Sequence, residues 1–441
     1  MSTSGDSIIH VIRDGMPHAG EGREGFFIPL GTFTLNGAFH RLRFGLASLT
    51  LCVLLPVTCF PQYDIQVEEK EKIDTVGLWD GAHHWYSIYD TDKVIQPLPG
   101  QRRYADTEYR NIADNILLYQ KVNGGWPKNY DMRAVLSPAQ QEKLRGDSAQ
   151  LNTTFDNGAT HSQIVYLAKV YAATKDPRYR DGALRGIDFI LSAQYPNGGW
   201  PQFYPDTSGY RKYITFNDGA MSGVMRILCQ VVQRDGPFSF VDGPRLERCE
   251  RAFENGVSCI MKCQIREEGI PTIWGQQHND QNFSPEWART FEPPSLCAGE
   301  SSDILLLLME VGKPGKQVIE AVQGGVRWLV KAEIHGIRVK EIPAPFVRYT
   351  YQSTRIDRVV EIDSTAPPIW ARLYELGTDR PLFCSRGGKI VYSLADVDRE
   401  RRAGYSWYTY APERVFERYA QWQRRWAPGE NVLAGRTYHP N

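Results

Sequence analysis

The sequence lacks an excess of either charge, since its 441 residues contain 51 Lys and Arg against 51 Asp and Glu. Without a net positive charge or a long Lys/Arg run, bulk attraction to nucleic acid or to an anionic membrane is not expected. The low hydrophobicity of a disordered chain is also missing, because 42% of the residues are hydrophobic. We therefore predict a globular, enzyme-sized protein that holds any acidic ligand with a few placed cations.

The apolar run near the N-terminus, residues 44–57, is too short for a comfortable membrane span. It follows the basic segment His-Arg-Leu-Arg at residues 40–43 and precedes Thr58 and Cys59, which is the order of a signal peptide. We therefore expect a secreted or periplasmic protein without a stable membrane span. Lipidation of Cys59 is the less favoured alternative, because Thr58 is not the usual small residue before a lipidated cysteine. Residues 1–59 are assigned to an N-terminal extension and signal segment.

A zinc site is not expected either, because the cysteines lack a second close Cys or His pair. Six cysteines follow residue 59, and Cys259 and Cys263 are spaced as neighbours on one helical face. An even number of cysteines in an exported chain leaves two readings open, buried free thiols or one or two structural disulfides.

Strand signals are few and short, and the rest of the chain shows mostly helical spacing of apolar residues. The best strand candidates are residues 336–342 and 388–392. The predicted helices are residues 103–121, 159–174, 178–194, 219–233, 245–263, 294–311, 318–334 and 413–426.

Internal repetition organises these helices. The segment Gly-Gly-Trp-Pro returns after 74 residues, with Trp126 in the first copy and Trp200 in the second, and a weaker third copy ends at Trp274. Such a period accommodates a pair of helices with long loops, and stacked helical hairpins form a solenoid or a closed ring. We predict an all-α fold, an α/α toroid-like domain over residues 101–430, preceded by a linker or N-terminal extension at 60–100 and followed by a tail at 431–441.

Equivalent acidic turns occur in two of the repeats. Asp156-Asn157 and Asn217-Asp218 each precede a glycine and a predicted helix. Asp and Asn are preferred N-caps, so capping is one explanation. Carboxylates from equivalent points of successive repeats would alternatively form a site for a hard cation such as calcium.

The Gly-Gly-Trp-Pro loops also allow two interpretations. Gly-Gly and Trp-Pro are turn formers, so the loops could be structural turns between helices without a binding role. Trp126 and Trp200 could instead be exposed platforms for sugar rings, with Lys128 beside one of them as a cation for a carboxylate.

Three arginines lie in long polar segments between the later predicted helices, where loops commonly carry function. They are Arg289, in Trp-Ala-Arg-Thr-Phe-Glu, and Arg358 and Arg372, in the stretch of residues 355–372. Alternatively, these arginines have no role in function and are surface cations or ion-pair partners of Asp and Glu.

Seven motifs of the chain, taken together, resemble those of a pectate lyase of polysaccharide lyase family 10. They occur in the order GGWPKN, TFDNGAT, GGWPQFYP, TFNDGAM, IPTIWGQQ, WARTFEPPSL and DRVVEIDSTAPPIWAR. The resemblance covers roughly residues 103–426, which is nearly the whole chain beyond the signal segment.

This resemblance implies an enzyme on an incomplete α/α toroid that cleaves α-1,4-linked polygalacturonate by β-elimination and depends on Ca²⁺. We expect the enzyme to be a monomer. It implies that Arg372 is the catalytic base and that Arg289 and Arg358 bind substrate carboxylates. It further implies that Asp156 binds calcium, with Asp218 as the neighbouring carboxylate. Asn157, beside Asp156, is expected to bind substrate. Arg289 and Arg372 both follow Trp-Ala, so their roles are the easiest to exchange.

The chemistry of elimination is consistent with this set of residues. Removing the C5 proton of a galacturonate creates charge on the adjacent carboxylate, which a divalent cation and arginines stabilise. An arginine base must lose its proton, so an alkaline optimum is expected. One departure from the family pattern, Pro293, follows Glu292 and affects loop shape more than chemistry.

Two other functions remain open at this point. A glycoside hydrolase on the same scaffold would use two carboxylates, for which Asp156 and Asp218 are the candidates. A noncatalytic uronan-binding protein would keep the aromatic side chains and arginines but would lack a base, and the presence of Arg372 in its motif counts against it.

Overall fold

The computed structural model of the protein describes residues 72–87 and 93–436. The signal segment predicted within residues 1–59 lies outside the described residues, as do residues 60–71, 88–92 and 437–441. Within the described part, no helix is both long and apolar enough to cross a membrane.

All eight predicted helices are present, with ends that differ from the predicted bounds by several residues. The helices of the described residues are α1 Trp79–Ser87, α2 Tyr109–Tyr119, α3 Pro138–Gly146, α4 His161–Thr174, α5 Pro177–Ala193, α6 Ala220–Gln233, α7 Gly243–Cys263, α8 Ala298–Met309, α9 Lys316–Lys331, α10 Arg399–Gly404 and α11 Ala411–Trp426.

Several of these helices begin at capping residues that the sequence displays. Ser137, Asp176 and Asp242 accept a hydrogen bond from a backbone N–H in the first turn of α3, α5 and α7, respectively. A proline occupies one of the first two positions of each of these helices, where its missing N–H costs nothing. These local signals fix where α3, α5 and α7 start.

The helices pack in two rows. In one row α4 contacts α6, α6 contacts α8 and α8 contacts α11, while in the other α2, α5, α7 and α9 follow one another. Sequence neighbours cross between the rows, as in the pairs α4–α5, α6–α7 and α8–α9. This pairing is what stacked helical hairpins require, and the incomplete toroid stays a prediction.

The repeats are held by the same buried hydrogen bonds in each copy. Each repeat tryptophan donates its indole N–H to a backbone oxygen near the end of the preceding helix: Trp126 to Ile116 (2.7 Å), Trp200 to Ile190 (2.9 Å) and Trp274 to Ile260 (2.8 Å). The residue after each of α2, α5 and α7 is a glutamine whose amide donates to two backbone oxygens, one of them on the next helix of the same row: Gln120, Gln194 and Gln264. These bonds join each hairpin to its neighbour.

The prediction that Trp126 and Trp200 are exposed sugar platforms is wrong. Both side chains are fully buried in the core. The preceding Gly124 and Gly198 allow this burial, because their φ angles of 91° and 94° and their approach to the next helix leave no room for a Cβ. In these loops the tryptophans therefore have a structural role in the core.

Short strands connect the helices, and one long hairpin departs from the predicted pattern. The strands are β1 Ile214–Thr215, β2 Arg266–Glu267, β3 Ile270–Pro271, β4 Gln277–His278, β5 Leu296–Cys297, β6 Ile337–Arg348, β7 Ser353–Ile362, β8 Trp370–Ala371, β9 Leu373–Tyr374, β10 Pro381–Cys384, β11 Ile390–Val391 and β12 Tyr408–Thr409.

The hairpin of β6 and β7 is antiparallel and pairs Ile337 with Ile362 and Glu341 with Arg358. It extends the strand predicted at residues 336–342 and replaces the loop predicted around Arg358. The reason is a partial alternation of apolar and charged residues on both sides of a turn, which is typical of strands.

The segment before residue 101 belongs to the same core as the helical repeats. Ile73, Leu78, Trp85 and Ile95 are buried in it, and the Trp85 indole donates to the Ile95 backbone oxygen at 2.9 Å. The described part of residues 60–100 is therefore a packed extension of the domain rather than a linker. The six cysteines beyond residue 59 are all buried free thiols, so no disulfide is formed among them.

We predict that Trp200→Phe lowers the free energy of unfolding by about 1–3 kcal/mol, because the Ile190 carbonyl loses its buried donor while the aromatic volume is nearly kept. Urea unfolding measures this loss. Trp287→Phe is the control, because Trp287 is 41% exposed and its change should leave stability within about 0.5 kcal/mol. Unchanged stability of Trp200→Phe would contradict the structural role of the repeat tryptophan.

Candidate functional site

Two equivalent turns lie side by side at the starts of α4 and α6. They are the 3-10 turns Asp156–Gly158 and Asn217–Gly219, which contact each other. The middle residue of each turn has a left-handed backbone, with φ 53° for Asn157 and φ 50° for Asp218. Asn and Asp tolerate this conformation better than most residues, which explains their presence at these positions.

The capping interpretation of these residues is wrong. The N-caps of α4 and α6 are Thr160 and Gly219, and neither Asp156 nor Asp218 accepts a capping hydrogen bond from its helix. Both carboxylates are therefore available for interactions across the two turns.

Asp156 is buried and bonded from two loops. Lys128 of the first repeat forms an ion pair with it, and the Gln202 amide of the second repeat donates to it at 2.9 Å. Burial opposes its ionisation, but Lys128 together with Arg289 and Gln202 outweighs this and lowers the pKa of Asp156 to about 2. The same pairing raises the pKa of Lys128 despite the cost of burial.

The second turn uses equivalent positions with the acid and amide exchanged. Asn217 replaces Asp156 and accepts a hydrogen bond of 3.2 Å from Gln276, the equivalent of Gln202. Lys128, Gln202 and Gln276 all stand two residues after a repeat tryptophan. This shared offset was visible in the sequence and could have identified Gln202 and Gln276 as site residues.

Asp218 lies between two arginines at distances slightly longer than a hydrogen bond. Its carboxylate oxygens are 3.6 Å from Arg289 and 3.8 Å from Arg372. Burial and the neighbouring Asp156 raise the pKa of Asp218 to about 7 against the effect of both arginines. The two carboxylates therefore have pKa values shifted in opposite directions.

Each arginine has its own buried carboxylate partner. Arg289 binds Glu292 through two nitrogens, with Nε at 2.7 Å. Arg372 binds Glu300 and donates to the Asn217 amide oxygen at 3.0 Å. These carboxylates outweigh the cost of burial and raise the pKa of both guanidinium groups well above their usual value.

A tyrosine connects the two arginine pairs. The Tyr405 hydroxyl accepts from Gln276 at 2.9 Å and donates to Glu292 at 3.1 Å, while its ring lies 4.3 Å from the Arg372 guanidinium. More than 100 positions in the chain separate Tyr405 from Gln276 and from Glu292. No local sequence pattern therefore reveals these contacts.

Helix α1 supplies a further residue that the sequence did not identify. Helix α1 contacts the Asp156–Gly158 turn, and His84 lies close enough to Lys128, Asp156 and Arg289 to respond to their charges. Burial and then Lys128 lower the pKa of His84 to about 4, so its imidazole is neutral at neutral pH.

Two predicted substrate residues lie at the edge of this cluster. Asn157 donates its amide to Asn129 at 3.3 Å. Arg358 is on β7, where it pairs with Glu341 at 3.0 Å and donates to the Tyr405 backbone oxygen at 3.1 Å. Arg358 thus reaches the cluster through Tyr405 and not through either aspartate.

The cluster has more acidic than basic groups. When every acid is ionised, four carboxylates face three cations and leave one negative charge: Asp156, Asp218, Glu292 and Glu300 against Lys128, Arg289 and Arg372. Near pH 7 this excess is smaller, because Asp218 is partly protonated. Such a site can accept a divalent cation and, once the cation is bound, attract an anionic ligand to the positive charges around it.

Comparison with known proteins identifies the family of this chain. Residues 120–416 match the family model described as pectic acid lyase. Two solved structures are similar, each with a TM-score of 0.60. One is a family 10 polysaccharide lyase from Cellvibrio cellulosa, with 28% identity over 70% of this chain and 91% of that one. The other is an aspartate-to-alanine mutant of a family 10 polysaccharide lyase from the same organism in complex with trigalacturonic acid, with 26% identity over 73% and 99% of the two chains.

Curated protein sequences gave no significant match. The family match extends from the end of α2 into α11 and contains both acidic turns and both arginines of the cluster. The chain therefore belongs to the pectic acid lyase family and is a polysaccharide lyase.

Proposed function

We propose that the protein is a calcium-dependent pectate lyase that cleaves α-1,4-linked polygalacturonate by anti β-elimination. The observation that carries this proposal is the pair of carboxylates Asp156 and Asp218 with Arg289 and Arg372 on either side of Asp218. The complex of the Cellvibrio lyase with trigalacturonic acid supports the choice of polymer. The signal segment predicted before residue 60 agrees with a substrate outside the cytoplasm.

The residues present fit a calcium ion. Within the described residues no three His, Cys, Asp or Glu side chains converge as a complete metal site. Asp156 and Asp218 are nevertheless hard oxygen donors, and the buried amide oxygen of Gln202 has no hydrogen-bond partner in the described part of the chain. The raised pKa of Asp218 indicates that its negative charge is under-compensated by the protein alone. Substrate and water would complete the coordination.

When bound, calcium would polarise the uronate carboxylate next to the reacting carbon and so acidify the C5 proton. Arg289, Arg372 and Lys128 surround the same place with cations that can hold uronate carboxylates. Arginine suits this role because its planar donors bind a carboxylate in two places.

The assignment of Arg372 as the catalytic base stays a prediction, and side-chain exposure favours Arg289 for this role. The Arg289 side chain is 36% exposed, whereas that of Arg372 is 14% exposed and is covered by the Tyr405 ring. A base must contact the substrate, so we propose that Arg289 takes the proton and that Arg372 positions the substrate carboxylate. Against the effect of burial, Glu292 raises the pKa of Arg289 in the metal-free protein, and a bound calcium ion would act in the opposite direction and favour loss of the proton.

In the proposed reaction the base removes the proton from C5 of the galacturonate. The electron pair of the C5–H bond forms the C4–C5 double bond, and the bond between C4 and the glycosidic oxygen breaks with its electrons leaving on that oxygen. The leaving oxygen takes up a proton. The product has a 4,5-unsaturated end that absorbs ultraviolet light.

The opposite pKa shifts of Asp156 and Asp218 would also suit the base and the acid of a hydrolase. Membership of a lyase family argues against that use of the pair. Hydrolysis would create no conjugated double bond, so absorbance separates the two reactions.

We predict that polygalacturonate with calcium yields ultraviolet-absorbing product and that a chelator abolishes it. Asp156→Asn should lower the rate roughly 100-fold or more, because one charged calcium ligand becomes neutral while the volume and the Gln202 contact are kept. Asp188→Asn is the control, since Asp188 pairs with Arg245 outside the cluster. Chelator-resistant product formation would contradict the role of calcium.

We predict that Asp218→Asn stabilises the metal-free protein at pH 8 by up to about 4 kcal/mol. The folded-state pKa of Asp218, about 7, lies above the ordinary value of 3.8. The folded protein therefore holds the extra proton between these values, and stability falls as the pH rises from about 4 to 7. The gain from Asp218→Asn should vanish near pH 4, as measured by thermal unfolding.

Added calcium should raise the melting temperature of the wild type more than that of Asp218→Asn. The Asp188→Asn variant should respond to calcium like the wild type. Equal calcium responses of wild type and Asp218→Asn would remove Asp218 from the metal site.

We predict that Arg289→Lys loses nearly all elimination but still binds oligogalacturonate, whereas Arg372→Lys weakens binding together with activity. Activity should rise toward alkaline pH in the wild type, because the base must lose a proton. Ultraviolet absorbance measures elimination, and calorimetry measures binding. The reverse pattern would return the base role to Arg372.

Arg386→Lys is a closely matched control for Arg289→Lys. Arg386 has the same exposed fraction, 36%, binds Glu400 through two nitrogens and lies 5.0 Å from the same Phe291 ring. It makes no contact with Asp218 among the described ion pairs. Loss of activity in Arg386→Lys would show that the Arg289 result reflects loop structure.

A further inference from the structure

Helix α1 lies outside the residues that match the family model, yet it packs against both loops that build the site. A Cβ added to Gly81 of α1 would lie 3.1 Å from the backbone oxygen of Tyr130, in the loop of Lys128. In the turn just before α1, the backbone oxygen of Gly77 lies 3.5 Å from a Cβ added to Gly158, in the turn of Asp156. The position of α1 is therefore fixed relative to the cluster.

The buried face of α1 holds it in this place. Trp85 is fully buried, and its backbone oxygen accepts from Lys93 at 2.6 Å. The Tyr86 hydroxyl donates to Asp131 at 3.1 Å. Substitutions on the outer face of α1 are thus expected to leave this anchoring intact.

The outer face of α1 carries a row of aromatic rings that starts at the site. His84 lies near Lys128 and Asp156, and its ring centroid is 5.8 Å from that of His83. His83 in turn stacks on Trp79, with centroids 5.1 Å apart and an interplanar angle of 10°. Trp79 is 63% exposed.

An exposed tryptophan at this place is unusual for this chain. Among the described residues, Trp79 and Trp287 are the tryptophans with a large exposed fraction, and the repeat tryptophans are in the core. His83 covers one face of the Trp79 indole, and the other face of this exposed ring is a flat apolar surface bordered by ring N–H groups, which complements the apolar face and the hydroxyls of a sugar ring.

We propose that Trp79 and His83 form an additional subsite for a galacturonate unit of the polymer, beyond the units held at the Asp156–Asp218 cluster. The inference rests on the proposed function, because it takes the same polymer as ligand. Continuity with the cluster through His84 favours the polymer over an unrelated partner. The contact acts through ring stacking and therefore adds affinity for long chains that changes little with salt.

The test compares the binding of trigalacturonate and octagalacturonate by calorimetry in the wild type, Trp79→Ala and Trp79→Phe, with Arg289→Lys added to each protein so that the oligomers are bound without being cleaved. In the wild type the longer chain should bind more tightly, and Trp79→Ala should reduce this advantage about five- to tenfold at both low and high salt. Trp79→Phe should restore most of it. Tyr392→Ala, which removes another exposed aromatic ring, is the control and should keep the wild-type advantage.

An unchanged ratio of the two dissociation constants in Trp79→Ala overturns the subsite, as does the failure of either oligomer to bind. The proposed function fails separately, if the wild type releases no ultraviolet-absorbing product. A melting temperature of Trp79→Ala equal to that of the wild type shows that the variant is folded. If Trp79→Ala melts at a lower temperature, His83→Ala takes its place in the test. Loss of the tighter binding of octagalacturonate in His83→Ala supports the subsite, and retention of that tighter binding overturns the subsite.

Discussion

Asp156 and Asp218 bring two negative charges together where water has little access, and like charges in such surroundings repel strongly. Lys128 and Gln202 stabilise the first charge, so that the cost appears at Asp218 as a raised pKa. The arginines near Asp218 cannot remove this cost, because each is already paired with a glutamate of its own. The remaining demand for positive charge makes the site receptive to a cation.

Much of the fold could be predicted because its causes are local. Apolar spacing and capping residues mark the helices, and the 74-residue period marks the hairpins. The two acidic turns were also predictable, since repeated motifs in a repeated fold occupy equivalent places. The family resemblance added the arginines, and the structure brings Arg289 and Arg372 to the same carboxylate.

Other features depend on contacts that sequence patterns do not record. The sequence Gly-Gly-Trp-Pro does not distinguish an exposed tryptophan from a buried one. Trp126 is buried because of its packing against the neighbouring helix. Tyr405 and Glu300 join the site from distant parts of the chain, and Arg358 lies on a hairpin whose alternation is interrupted by prolines. His84 comes from a segment that the family motifs do not include.

The exchange of acid and amide between the two turns has a consequence for symmetry. Asp156 and Asn217 occupy the same buried position in successive repeats, while Asn157 and Asp218 occupy the same left-handed position. Two identical turns would place their carboxylates at the same position in both repeats. The exchange instead puts one carboxylate at the buried position and the other at the left-handed position, so that the two acids differ in their partners and in their pKa although their repeats are equivalent.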